Sequence, residues 1–386
     1  MAELPTTYTG IPGHPSCQLV EHPANSIPDP VPIAIVGGTG LSSLPSPPFT
    51  PLALLPPPQT PWGLPSSPIA ILSYTPPSST STPDPKATTI AFLARHGLHH
   101  QYAPHEIPNR ANVAALKRLG VTCVVGFSAV GSLKEEVKPR DFVVVDQVLD
   151  WTKGVSPPTF SIPPPPPPPS LNQPPKTNPF PFQVRPWTFF ESGTVGHIPM
   201  AHPFDPPLRA LLLHTLTTTP GLLLGPPTTT THPSGTVICI EGPQFSTRAE
   251  SLLFRSLGLS CINMSAFPEA KLFREAEIAF ALVCMSTDYD SWREGEGEEG
   301  EGVSVEMVMG HMGANGENAK RVVARLVEEL SRGGNEEVVR AERWRGTARA
   351  AAGITKVEGR GREAVEKLGW LFEGTGGFEG GFKGSG

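Results

Sequence analysis

Proline decides where this chain can and cannot build regular structure. The 386 residues include 48 prolines, roughly two to three times ordinary usage, and most fall in three tracts. One covers about Pro5 to Pro85 with a single ordered-looking break. Another runs from Pro157 to Pro186 around seven consecutive prolines, Pro163 to Pro169, and the third is Thr/Pro-rich from Thr215 to Pro233. Proline has no N–H and favours an extended polyproline conformation, so such tracts are not expected inside a sheet or a helix. Setting them aside leaves roughly 270 residues of ordinary globular composition, enough for one large α/β domain with its own core.

Between the tracts, β-like and helix-like segments alternate. Strands are predicted at Pro32–Val36, Thr88–Ala94, Thr122–Phe127, Asp141–Val148, Thr236–Glu241, Cys261–Met264 and Ile278–Met285, the last an apolar run without turn formers. Helices are predicted at Ala111–Leu119, Leu208–Thr215, Thr247–Leu257, Glu269–Glu277, Ser304–Leu330 and Arg362–Phe372. The longest has Ser304 as N-cap and is weakened by Gly310, Gly313 and Gly316. This alternation predicts an α/β fold with a mixed sheet. The predicted domain spans 31–373, flanked by a disordered extension (1–30) and a Gly-rich tail (374–386). Insertions are predicted at about 42–86, 156–183, 215–234 and 294–302, the last a Gly/Glu run of low-complexity character.

Charge and cysteine usage exclude several classes. A net charge of −6 without a basic block lacks the electrostatic footprint of nucleic-acid binding. No apolar run reaches membrane-spanning length, and Met1 to Pro15 lacks the layout of a secretory signal. The five cysteines (Cys17, Cys123, Cys239, Cys261, Cys284) are scattered and show no metal spacing, so they read as reduced, buried small hydrophobes. A cytoplasmic protein is expected, with the nucleus as a second compartment, without a membrane or nucleic-acid partner. The proline tracts read as tolerated surface insertions before they read as SH3 or WW ligands.

Several strand ends carry chemistry-bearing residues. Ile278–Met285 empties into Ser286-Thr-Asp-Tyr-Asp290. Carboxylates two residues apart on a strand share a face, so Asp288 and Asp290 can address adjacent atoms of one ligand such as a purine. Gly37-Gly-Thr-Gly40 lets backbone N–H groups approach an anion, with the Thr39 hydroxyl as donor, although it matches neither a dinucleotide fingerprint nor a Walker loop. Arg95 and His96 follow the second strand, and Ser128-Ala-Val-Gly-Ser132 the third; arginine suits phosphate or carboxylate recognition. His99 and His100 have no suitably spaced metal partner, so no metal is expected. Glu241-Gly-Pro-Gln-Phe-Ser246 feeds a helix with Ser246 as candidate N-cap and Phe245 held out to stack on a base, and Ile262-Asn-Met-Ser265 offers a thioether and a hydroxyl. Each of these also reads, taken alone, as a turn, a surface cation or ordinary core.

Their order narrows the choice. VGGTG, ARHG, FSAVGSL, GHIPMAHPF, EGPQFSTRAES, INMS and STDYD, in this succession, resemble the trimeric purine nucleoside phosphorylase family and, within it, the S-methyl-5′-thioadenosine phosphorylases. The resemblance covers about 32–46, 88–155, 184–214 and 235–330. It implies a three-layer α/β/α phosphorylase fold with a mixed twisted sheet. It also implies phosphate as co-substrate without metal or organic cofactor, and a homotrimer. It implies phosphate binding by Thr39, Arg95, His96, Ser128, Ala129 and Ser265, and a purine held by Phe245, Met264, Asp288 and Asp290. His197 is implied to reach a neighbour's 5′-substituent pocket, whose wall is Val305. Asp288, Ser265 and His96 are the implied catalytic residues, with Asp288 protonated when base is bound.

Two positions imply the substrate. Relatives using 6-oxopurines carry Asn in place of Asp288 and His in place of Val305. A carboxyl group accepts from a 6-amino group but meets O6 as an unpaired polar contact worth about 1–3 kcal/mol, and valine methyls suit a methylthio group. Both imply methylthioadenosine. Trp151 and Asn109 stand where relatives commonly carry Arg and Tyr. The resemblance also implies a C-terminal helix from a neighbouring subunit over the 5′ pocket, with Leu368 or Leu371 as candidates to fill that part. A phosphorylase of broader specificity and an idle proline-rich scaffold are the other readings; the filled phosphate and base positions argue against the second.

Overall fold

The computed structural model describes residues 31–45, 47–76, 87–152, 186–219, 221, 229–293, 303–373 and 378. The extension at 1–30 with Cys17, the insertions at 156–183 and 294–302, and all of the tail except Phe378 lie outside these residues.

In chain order the elements begin with β1 (Ile33–Gly37), β2 (Phe49–Leu55), β3 (Ile69–Tyr74), β4 (Thr88–Ala94), α1 (Asn109–Arg118) and β5 (Cys123–Ser132). Then come β6 (Phe142–Val144), β7 (Gln147–Asp150), α2 (Pro206–Thr218), β8 (Thr231–His232), β9 (Thr236–Cys239) and α3 (Arg248–Ser256). The chain continues through β10 (Cys261–Asn263), α4 (Ala266–Glu275), β11 (Ala279–Asp288), α5 (Val305–Ser331), α6 (Glu336–Val339), α7 (Thr347–Ala351) and α8 (Arg362–Leu371). The strands form one mixed sheet ordered β2-β3-β4-β1-β5-β10-β9-β7, with β11 joining β5 to β6 and β8.

Strands β1 and β11 are buried along their whole length, because helices cover both faces. Alternation assigns Ala34 and Val36 of β1 to one core, with α1, α4 and α8, and Ile33 and Ile35 to the other, with α2 and α5. This is the expected three-layer α/β/α arrangement. Strand β1 runs parallel to β4 and β5, and β11 parallel to β5. Their carboxyl ends therefore open on one side of the sheet, where such folds place ligands.

Several expectations need correction. Residues 42–86 are not simply an insertion, since they contain β2 and β3. Pro51 is accommodated because β2 is the edge strand and its register shifts between Pro51 and Ala53, a setting in which a missing N–H costs little. The stretch predicted at 215–234 likewise begins inside α2 and ends in β8. The single strand expected at Asp141–Val148 is two, β6 pairing with β11 and β7 with β9. The α5 N-cap is as expected, with the Met307 N–H donating to Ser304 Oγ at 3.3 Å.

Candidate active site

Eleven of the twelve anticipated residues, all but His197, line one cavity of about 840 Å³ at the carboxyl ends of β1, β4, β5 and β11. That volume suits a small-molecule site. Among the described residues no group of three or more His, Cys, Asp or Glu side chains could hold a metal ion.

One end of the cavity is polar and closely packed. A Cβ on Gly38 would lie 2.4 Å from Arg95 Nη1 and 2.6 Å from the Phe127 carbonyl, so only glycine lets the turn carrying Thr39 sit against the arginine. Arg95 is fully buried. Its Nε donates to Glu269 at 2.5 Å, Nη2 donates to the same carboxylate at 2.9 Å, and Nη1 donates to the Phe127 carbonyl at 2.7 Å. These bonds use three of the five guanidinium N–H groups and match the cation with an anion, so Arg95 lends donors to the cavity more than net charge. Glu269 is a residue that sequence reading missed: it lies 174 positions from its partner on a helix whose pattern signals only packing.

His96 Nδ1 lies 2.9 Å from the Tyr102 carbonyl. A carbonyl only accepts, so this nitrogen carries the proton and Nε2 of the neutral ring offers a lone pair. Burial pushes the His96 pKa down to about 4. The ring stacks on His100 at 4.4 Å between centroids, and His100, Gln101, Tyr102 and Glu106 also line the cavity, none of them anticipated. Ser128 Oγ lies 3.3 Å from Ser265 Oγ and accepts from Asn263 Nδ2 at 3.1 Å, so two hydroxyls meet in the cavity that Thr39 also lines.

The other polar group is the acid pair. Strand alternation was expected to place Asp288 and Asp290 on one face, but β11 ends at Asp288 and Asp290 opens a short 3-10 turn with φ of +49°. Both nevertheless face the cavity and are almost fully buried. Asp290 accepts from Ser246 Oγ at 2.7 and 2.9 Å and from Ser251 Oγ, and its N–H donates to Asp288 Oδ1 at 2.8 Å. Burial raises the Asp290 pKa against the hydrogen bonds from Ser251 and Ser246. Ser246 is free for this because it is not the N-cap: Thr247 caps α3 in a capping box with Glu250. Gly131 permits the crowding, since a Cβ there would lie 2.9 Å from Asp288 Oδ1.

The remaining wall is apolar and open. Phe245 is 43% exposed, Val305 61% and Met309 58%, and Val308 and Met312 continue the lining along α5. His197 lies outside the cavity, exposed, with its backbone N–H donating to the Ala351 carbonyl at 3.2 Å. Leu368 and Leu371 are buried in this chain's own core on α8.

Hydroxyls and a buried guanidinium at one end, and a buried acid pair in the same cavity, lie together at parallel strand ends. Residues 86–328 match the phosphorylase superfamily, and the chain belongs to it. It is 49% identical over 345 residues to an S-methyl-5′-thioadenosine phosphorylase of Phaeosphaeria nodorum, covering 89% of this chain and 87% of the relative. With a namesake from Neurospora crassa it shares 45% over 377 residues, 97% of this chain and 98% of that one. Among solved structures, a methylthioadenosine phosphorylase from an antarctic soil metagenomic library is similar at a TM-score of 0.65 and 32% identity, covering 89% of this chain and 99% of that one. The Schistosoma mansoni methylthioadenosine phosphorylase in complex with adenine is similar at 0.63 and 27%, covering 83% and 99%.

Proposed function

We propose that this protein is a pentosyltransferase that cleaves S-methyl-5′-thioadenosine with phosphate, yielding adenine and 5-methylthioribose 1-phosphate. The observation that carries the reading is one cavity with three different ends: the hydroxyls of Thr39, Ser128 and Ser265, the Asp288–Asp290 pair, and the apolar wall of Val305, Val308 and Met309.

Phosphate at the hydroxyl end lies beneath C1′, and its negative charge stabilises an oxocarbenium-like sugar as the glycosidic bond lengthens. The lone pair of His96 Nε2 accepts from a P–OH group, which phosphate retains at neutral pH. Phe245 stacks on the base, Met264 packs against base and ribose, and Asp290 addresses the 6-amino group. Asp288 donates a proton toward N7 so that adenine leaves neutral. Neither metal nor organic cofactor enters these steps. The exposed Val305 and Met309 fit a 5′ pocket finished by a second subunit, and we assign His197 to that contact in a homotrimer.

The test is adenine release from methylthioadenosine with and without phosphate, beside adenosine and inosine. Phosphate-dependent turnover favouring methylthioadenosine is expected. Preference for inosine would overturn the roles of Asp288 and Val305, and no turnover on any substrate would overturn the enzyme reading.

A further inference from the structure

Strand β11 pairs with β5 residue by residue from Ala279 to Ser286, then shifts: Ser286 is opposite Val130 and Asp288 opposite Gly131. Thr287 is the extra residue of a bulge. Successive strand residues point to opposite faces, and a bulge re-aims one of them, commonly beside an active site. Here it brings Thr287 and Asp288 into the same cavity, both almost fully buried.

The Thr287 hydroxyl has two acceptors within reach, Asp288 Oδ2 at 2.6 Å and the Val130 carbonyl at 3.1 Å. It owns one proton and can donate to one of them at a time. By contrast, the hydroxyls of Ser246 and Ser251 have Asp290 as their acceptor among the described residues, whereas the Thr287 hydroxyl can turn away from Asp288. When Thr287 donates to the Val130 carbonyl, its lone pair faces Asp288 Oδ2 at a distance that requires a proton on the carboxyl group.

We propose that Thr287 is a positioning residue for the transferable proton of Asp288, an inference that rests on the acid role given to Asp288 above. Before the base binds, protonated Asp288 donates to the Thr287 hydroxyl, which donates to Val130; with the purine bound, the carboxyl O–H turns from Thr287 toward N7. As the Asp288 proton passes to N7 of the leaving purine, the carboxyl group becomes a carboxylate. The hydroxyl then swings to donate to Oδ2, while Asp290 N–H continues to hold Oδ1. The negative charge appears beside a hydroxyl that is already within hydrogen-bond distance and needs only to rotate, so the bond to Thr287 forms in the transition state and leaves nucleoside binding nearly unchanged.

The experiment compares wild type with Thr287→Val, Thr287→Ser and Asp288→Asn in kcat, KM and the pH profile of kcat on methylthioadenosine. Thr287→Val is isosteric and neither donates nor accepts; kcat should fall about ten- to a hundredfold, with KM within about threefold. Losing a donor to the ionised form disfavours that form, so the alkaline limb should move to higher pH. Thr287→Ser should restore both kcat and the limb. Thr287→Val with kcat and limb unchanged, or Thr287→Ser as impaired as the valine variant, overturns the proposal. Should the valine variant fail to fold, Thr287→Cys, a weaker donor of similar size, takes its place and must show the same two changes in reduced form. Wild-type-like activity of Asp288→Asn would instead overturn the acid role itself.

Discussion

The hydroxyl end of the cavity and its apolar end are built on different principles. At the hydroxyl end, parallel strands bring Thr39, Arg95 and Ser128 together from residues far apart in the chain, and each is fixed by a buried partner or a close backbone approach. At the apolar end, the first turns of α5 present Val305 and Met309 to solvent. The first end is enclosed by buried groups of one chain; the second stands open to solvent. A charged, geometrically demanding ligand needs preorganisation, which a sheet supplies, whereas an apolar substituent needs only contact area, which a second surface can add.

Perturbing each end tests that division, and the acid pair is the sharpest place to begin. Asp288→Asn should lower kcat on methylthioadenosine by at least about a hundredfold while far-ultraviolet dichroism stays unchanged; a smaller loss removes proton donation from the mechanism. Glu269→Gln leaves the Arg95 cation buried without its counter-charge and should cost about 3–5 kcal/mol in urea unfolding. A loss below about 1 kcal/mol would mean the hydroxyl end is not held by this pair.

The same end should be sensitive to acid. Because the folded His96 pKa sits near 4, below the unfolded value of about 6.5, the unfolded state binds the proton first as pH falls. Stability is then lost progressively between those two values and levels off below the lower one. His96→Gln should be more resistant than wild type by about 2–3 kcal/mol at pH 4.5 relative to pH 7.5, and parallel pH profiles for the two proteins would break the argument.

Smaller effects are expected nearer the base and the mouth. Ser251→Ala removes one donor from Asp290 and should reduce kcat/KM for the nucleoside about tenfold, leaving the KM for phosphate within twofold. Val305→Ala should raise the KM for methylthioadenosine only about threefold, since the side chain is 61% exposed in the single chain. A loss beyond about thirtyfold would show that the apolar end is as preorganised as the hydroxyl end.

Much of this was legible in the residue order. Apolar runs emptying into Thr39, Arg95–His96, Ser128 and Asp288 announced strands of a mixed sheet and their functional ends, because a strand buried on both faces needs an unbroken apolar run. The proline rule misjudged residues 49–74 because it ignores position: an edge strand tolerates the Pro51 that an interior strand would reject. Ser246 was misread as a cap because a cap is a local signal, whereas its actual acceptor, Asp290, lies 44 residues away.

By itself, the sequence determined an α/β class with a mixed sheet and the strand ends that carry the site, since hydrophobic periodicity and turn chemistry are local properties; the identities of eleven lining residues came from the resemblance of its ordered motifs to the phosphorylase family. Tertiary structure alone decided that Glu269 neutralises Arg95, that Thr287 occupies a bulge between two acceptors, and that Asp290 reaches the cavity through a left-handed turn. Those facts depend on which buried groups meet across long sequence separations. That is settled when every polar group inside the core must find a partner.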